Sequence, residues 1–497
     1  MKKIFLGVIF PALFAAHSLA QDRALADSSF RNKISGVDAA NDLRLLMNAM
    51  KEVQPGLYRY ASPQQVKSEF EKGLEICKDS VDYLKLVKQI ARLISITGCS
   101  HSSWEHSDAY YVYRENKANF FPFEIKVVKS DYYIVRNYSD NPEIKIGSRI
   151  VSINNLLIST ISSELSKAIT HDGNNETHIQ REIESYFMYV YSAFIDNPNS
   201  WTLKLIPPDA DKVIEIHVPA RTLEAIRKLK NQSDSIIAGN RLPLQFSFND
   251  KLDTGIYTIE SFNKNVIQEQ GQDYTAFADS VLNVLQRRNA RNLIIDLRNN
   301  GGGETVYGKY LFSHFIDQPY PYFESVRVIK TRDYSFQHMI THGPDYNDTM
   351  RFVKTKDSLR SWTNNPNLHV YPSTKNRFRG KIYVLMNGNT MSAAAALATE
   401  LRLRTSAIFL GEETGGAMGG PNAMPVSFQL PSSKIRIRLS TARYEMGGHP
   451  QKKDRGVIPD IAVETSITDQ LNGNDAIMQY ALQAIEKDNG IRAESEK

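Results

Sequence analysis

Ser392 stands where a Gly/Asn turn, Gly388-Asn389-Thr390-Met391, passes into the alanine-rich helical pattern of Ala393 to Arg402. Small side chains surround it, so its hydroxyl is open to a bound chain. The first turn of a helix also offers unpaired N–H groups and positive partial charge, which suit a developing oxyanion. Earlier, the apolar run Leu293 to Leu297 breaks into Gly301-Gly302-Gly303, where the backbone can come close to a neighbour. A serine between two such sets of donors is an arrangement for acyl transfer. Taken singly, each feature has a plainer reading: serine is a common helix N-cap, and a glycine triplet is a turn or a phosphate cradle.

The elements that must position these residues are two strand–turn–helix units. The runs Leu293 to Leu297 and Ile382 to Met386 are short, nearly continuous and rich in Ile, Leu and Val, as in strands buried on both faces. Ligand sites form at the ends of such strands.

Four segments then carry a resemblance. Ile294–Gly303 (IIDLRNNGGG), Asn387–Ala396 (NGNTMSAAAA), Gly411–Gly416 (GEETGG) and Arg455–Ile461 (RGVIPDI) follow one another as in the tail-specific (C-terminal processing) and tricorn-like serine peptidases. The chain resembles that family from about Ala39 to its end. The resemblance implies a multidomain α/β protein with a helical N-terminal domain, a PDZ-like β-rich domain and a ClpP/crotonase-like catalytic domain. It further implies a serine-type peptidase with Ser392 as nucleophile and oxyanion donors at Ala393 and in the Gly302-Gly303 turn. No metal or organic cofactor is implied.

A serine needs a partner to take its proton. The tail-specific branch carries a lysine that aligns here with Ala417, so the Ser–Lys dyad is absent. Gly98-Cys99-Ser100-His101-Ser102 resembles the tricorn-like segment in which the histidine is the general base, with Ser100 in the place of a serine that precedes it. Histidine suits the role because it titrates near neutrality. His449 in Glu445-Met446-Gly447-Gly448-His449 is a rival base, and a loop histidine held by its surroundings is the plain alternative. For the carboxylate that orients the imidazole, the resemblance points to the neighbourhood of Asp454, with Glu413 second; an ion pair with Arg455 or Lys434 is the structural alternative for either.

The N-terminal half reads as a helix from Asn41 that Pro55-Gly56 stops, then helices over Pro63–Cys77 and Val81–Ile96, then strands from Phe121 onward. Gly147-Ser148-Arg149-Ile150-Val151-Ser152-Ile153-Asn154-Asn155 resembles the PDZ turn, which places Phe121 and Phe123 at a carboxylate-binding loop gripping a substrate C-terminus. The expected organisation is a signal peptide at 1–20, a helical domain at 36–105, a PDZ-like domain at 118–220 and a catalytic domain at 240–490. The polar, aromatic-rich stretch between Pro319 and Arg379 reads as a long insertion able to cover the cleft.

Composition sets the class. The 497 residues are 41% hydrophobic and 23% charged, as in soluble globular proteins. Lys2-Lys3, the apolar run Ile4 to Ala16 and Ser18-Leu19-Ala20 read as an export signal. Its removal leaves 58 basic against 55 acidic side chains, a net charge of +3. With no basic run, nucleic acid is not an expected partner, nor is stable membrane insertion expected. The expected setting is the periplasm, or outside the cell, and the expected partner is a polypeptide substrate. Cys77 and Cys99 are either one disulfide or two free thiols. The competing reading is a peptide-binding protein that keeps the peptidase fold without the chemistry.

Overall fold

In the computed structural model, which describes residues 33–234, 242–347, 349–370, 372–374 and 377–495, the front of the chain folds into three helices. The expected signal peptide lies outside the described residues. Helix α1 (Gly36–Val53) begins at Ser35, whose hydroxyl accepts the Asp38 N–H at 3.1 Å. Helix α2 (Pro63–Ile76) begins with a reciprocal Ser62–Gln65 capping box. Helix α3 (Tyr83–Ser95) has no side-chain cap and is held by its apolar face. Leu86, Val87, Ile90, Leu93 and Ile94 are all fully buried, and each is worth roughly 1.5–3 kcal/mol relative to exposure.

After the short strand β1 (Ser103–Glu105) the chain builds an antiparallel sheet. Its strands are β2 (Phe123–Val128), β3 (Asp131–Asn137), β4 (Arg149–Ile153), β5 (Ser200–Ile206) and β6 (Ile214–Pro219), in spatial order β6-β5-β4-β3-β2. Helices α4 (Ile158–Ser166) and α5 (Thr177–Phe194) are inserted between β4 and β5. The strict in–out alternation of β2 comes from one face packing on the core and the other meeting solvent.

The catalytic-type unit is a second sheet, β7 (Leu244–Asn249), β8 (Thr254–Ile259), β9 (Asn292–Asp296), β11 (Lys381–Met386), β12 (Ile408–Gly411) and β15 (Ile461–Ala462), adjacent in that order. Only the β7–β8 pair is antiparallel. Helices α6 (Tyr274–Arg287), α7 (Thr305–Phe312), α8 (Ser392–Arg404) and α9 (Ala476–Ser495) accompany it. Because β9 and β11 are parallel neighbours in register, Asn292 opposite Lys381 through Asp296 opposite Leu385, the turns after them open side by side. That register brings the glycine triplet to Ser392.

The stretch expected as a long covering loop is largely structured. Strand β10 (Phe323–Val328) and three short strands, Ile340–His342, Phe352–Lys354 and Arg360–Trp362, join β1 and the hairpin β13 (Asn422–Gln429) and β14 (Arg436–Met446) in a seven-stranded sheet. Its aromatic residues are packing groups: Phe323 meets Tyr444 and Trp362 meets Phe352.

Two joints fix the helical unit to the catalytic one. Strand β1 pairs antiparallel with β14, and Ile437, Leu439, Phe428 and Trp104 share one core with α1 to α3 and the antiparallel sheet. Arg59 also donates to the carbonyls of Gly420 at 2.9 Å and Gly419 at 2.6 Å. Among the described residues no helix is long and apolar enough to cross a membrane.

Candidate active site

The loop between α3 and β1 delivers His101 to Ser392, 291 positions away: imidazole Nε2 lies 3.1 Å from Ser392 Oγ. On the other side of the ring, Nδ1 lies 3.2 Å from Ser100 Oγ. With Nδ1–H donating to Ser100, Nε2 is left to accept the Ser392 O–H. Burial holds the His101 pKa below the usual histidine range; the Asp172 carboxylate pulls it back up and the Arg438 guanidinium pushes it down. A neutral imidazole against a hydroxyl is a base–nucleophile pair.

Ser392 sits at φ +49°, in the left-handed region that serine rarely enters, at the first position of α8. Of the N–H groups that follow, those of Ala394 and Ala395 donate to Met391 O at 2.9 and 3.2 Å, which leaves that of Ala393 available in the first turn. Gly302, at φ +97°, packs against it so closely that an added Cβ would lie 2.7 Å from Ser392 Cβ and 3.0 Å from Ala393 N. One expectation is corrected here. The Gly302 N–H is not a spare donor, because it is given to Asn300 Oδ1 at 2.9 Å. Gly303 (φ +137°) bridges to Phe262, whose N–H donates to the Gly302 carbonyl at 3.0 Å.

Neither carboxylate expected beside the histidine is found in contact with it. Glu413 accepts from Arg455 Nε at 2.9 Å and from the Gly456 N–H at 2.7 Å, so it is a buried ion-pair and turn residue. Asp454 accepts from Asn174 Nδ2 at 2.8 Å. The carboxylate near the imidazole is Asp172, 4% exposed, which accepts the Ser100 main-chain N–H at 2.8 Å.

Asp172 begins a strap that ties both halves of the site together. Gly173 N–H donates to Gly98 O at 3.0 Å and Asn174 N–H to Asp454 O at 2.7 Å. Asn175 Nδ2 donates to Thr414 O at 2.6 Å, Thr177 Oγ1 to Glu413 O at 2.9 Å, and His178 Nδ1 to Gly388 O at 3.1 Å. The loop carrying His101 and the turn before Ser392 are therefore braced by one segment of the middle unit. Nothing in the run His171-Asp172-Gly173-Asn174-Asn175 distinguishes it from an ordinary turn, so only the fold brings it to notice.

The remaining expectations resolve as follows. Phe121 and Phe123 are 0% exposed and lie in an aromatic core, with Phe121 against Phe123, Phe187 and Trp201, so they are not a ligand-facing pair. At the nearby β2 edge, Val127 N–H donates to Glu184 Oε1 at 2.7 Å and Val127 O accepts from Arg181 Nη2 at 3.2 Å, so helix α5 already fills these strand-pairing positions. His449 is on the surface, 3.2 Å from Glu324. Cys77 and Cys99 are buried free thiols, and burial raises the pKa of each. Ala417, at the dyad-lysine position, is buried.

Residues 253–463 match the family model described as Peptidase family S41. No curated protein matches the sequence. The fold is similar to that of mature CPAF complexed with lactacystin, at a TM-score of 0.63 and 14% identity, covering 90% of this chain and 98% of that one. For mature CPAF alone the TM-score is 0.61 and the identity 14%, covering 91% and 98%. The photosystem II D1 C-terminal processing protease overlaps 88% of this chain and 98% of its own at a TM-score of 0.39 and 14% identity. The matched segment, residues 253–463, holds Ser392, the glycine turn and both later motifs, and the chain is a serine-type peptidase.

Proposed function

We propose that this protein is an exported endopeptidase in which Ser392 attacks the scissile carbonyl and His101 is the general base. The observation that carries the reading is the 3.1 Å contact between His101 Nε2 and Ser392 Oγ. Nε2 takes the hydroxyl proton as the C–O bond forms. The oxyanion is received by the N–H groups of Ala393 and Gly303, each such donor being worth about 3 kcal/mol to the transition state. The imidazolium returns the proton to the leaving amine, and water releases the acyl group by the same steps. Ser100 accepts from Nδ1 and fixes the tautomer, and Asp172 supplies the negative charge behind it, with Asp454 anchoring the strap.

Export to the periplasm is supported by Lys2-Lys3, the apolar run and the small residues before Gln21. The middle unit, with its antiparallel sheet and two helices, is proposed to be PDZ-like and to grip the substrate C-terminus. Pairing along β2 then requires Arg181 and Glu184 to release Val127.

The test is a serine-directed fluorophosphonate with casein hydrolysis in parallel. Wild type is expected to be labelled and to cleave, and Ser392→Ala and His101→Ala to do neither. Ser392→Ala that cleaves casein like wild type would sink the proposal.

A further inference from the structure

Strands β1 and β14 align two rows of side chains on one face. Glu105 stands opposite Arg436 and Ser103 opposite Arg438. Just before β1, Cys99 Sγ lies 3.4 Å from Ser440 Oγ, so the segment carrying His101 continues along the same face. The other face, with Trp104, Ile437 and Leu439, is core.

The two arginines on this face differ in their partners. Arg436 reaches Glu105 at 3.2 Å and Asp108 at 2.6 Å. Arg438 is half-buried, and among the described residues no carboxylate pairs with it; Glu105, the acid nearest by register, is already held by Arg436. Burial lowers the Arg438 pKa, and its charge depresses the proton affinity of His101. The Glu105 carboxylate offsets this burial only from a distance, and a partly desolvated guanidinium with no carboxylate in ion-pair contact has a fork of N–H donors that fits one bidentately.

We propose that Arg438 is a specificity residue that binds a carboxylate of the polypeptide substrate beside the Ser392–His101 pair. The carboxylate is an Asp or Glu side chain, the chain terminus being assigned to the middle unit. The proposal rests on the catalytic reading above. A bound carboxylate would also cancel the positive field that Arg438 places on His101, strengthening the base when the matching substrate is seated.

The test begins with β-casein digested by the full-length protein, its cleavage sites mapped by mass spectrometry. The best-cleaved peptide is then made with a free or an amidated C-terminus, and with each Asp or Glu replaced by its amide. Wild type is expected to favour one carboxylate-bearing form about tenfold or more in kcat/KM. Arg438→Gln is expected to bring that ratio to near one, and Arg438→Lys to retain part of it. Loss in an internal pair identifies the side chain; a preference confined to the C-terminal acid/amide pair counts against the subsite. Melting curves check folding, and if Arg438→Gln does not fold, an unreduced ratio in Arg438→Lys counts against the subsite. A ratio unchanged in Arg438→Gln overturns the proposal, as does a wild type indifferent to every carboxylate. A wild type that is neither labelled at Ser392 nor active on casein overturns the catalytic reading itself.

Discussion

Asp172 Oδ1 accepts the main-chain N–H of Ser100 at 2.8 Å, and Ser100 Oγ in turn lies 3.2 Å from Nδ1 of His101. The negative charge behind the imidazole thus acts through the backbone of the residue next to it. Asp172→Asn can keep an oxygen near the Ser100 N–H while removing the charge. We expect kcat to fall about tenfold or more with KM little changed, since the group touches the base and not the substrate. Because the carboxylate raises the His101 pKa, the acid limb of the pH–rate profile should also move to lower pH. Asp172→Asn kinetics equal to wild type, with an unmoved limb, would refute this role.

The pH dependence of wild type follows from the same ring. Burial, the largest influence, keeps His101 below the usual histidine value of about 6.5. A general base works when unprotonated, so kcat/KM should be on its plateau near neutrality and decline only as pH falls through that lowered value. An acid limb centred above pH 7 contradicts this.

Gly302 tests the geometry from the other side. An alanine there would place Cβ 2.7 Å from Ser392 Cβ, at a φ of +97°. Either the glycine turn or the serine must shift. We expect Gly302→Ala to lower the rate of fluorophosphonate labelling at least a hundredfold and to cost about 1–3 kcal/mol of stability. Undiminished labelling would mean the turn is not held against the serine as described.

His178 contributes to acid stability. It is buried, donates to Gly388 O at 3.1 Å, and has its pKa lowered to about 4, chiefly by burial. In the unfolded chain it takes up its proton near pH 6.5. Between those values the unfolded state binds more protons, so stability falls as the pH drops from about 6.5 to about 4. The loss is on the order of 3 kcal/mol. Chemical denaturation across that range should show a shallower decline for His178→Gln; identical slopes would argue against the assignment.

Much of this was legible in the residues. The parallel strands at Leu293 and Ile382 announce themselves by nearly unbroken apolar runs, and the three front helices by their spacing. Ser392 and His101 stand out because each lies in a short motif in family order. What escaped has physical causes. Helix α5 is kinked at Tyr186, with φ −128° and ψ 18°, which breaks the period of its apolar face. The strands between Ile340 and Trp362 are three residues long, too short for alternation to register. Phe121 and Phe123 carry no mark that separates a pocket wall from a core. Asp172 and Arg438 acquire meaning only from partners far away in the chain, through strand register and loop contacts that no local pattern encodes.

The pairing of β1 with β14 has one more consequence. The histidine loop is stitched onto the last large hairpin of the protein, so a nascent, truncated or half-melted polypeptide holds the serine and the imidazole on unconnected pieces. If His101 is the base as proposed, such a fragment would be inert, and excising the S41 segment alone would yield a scaffold without its proton acceptor. Hydrolytic competence in this architecture is a property of the finished tertiary assembly.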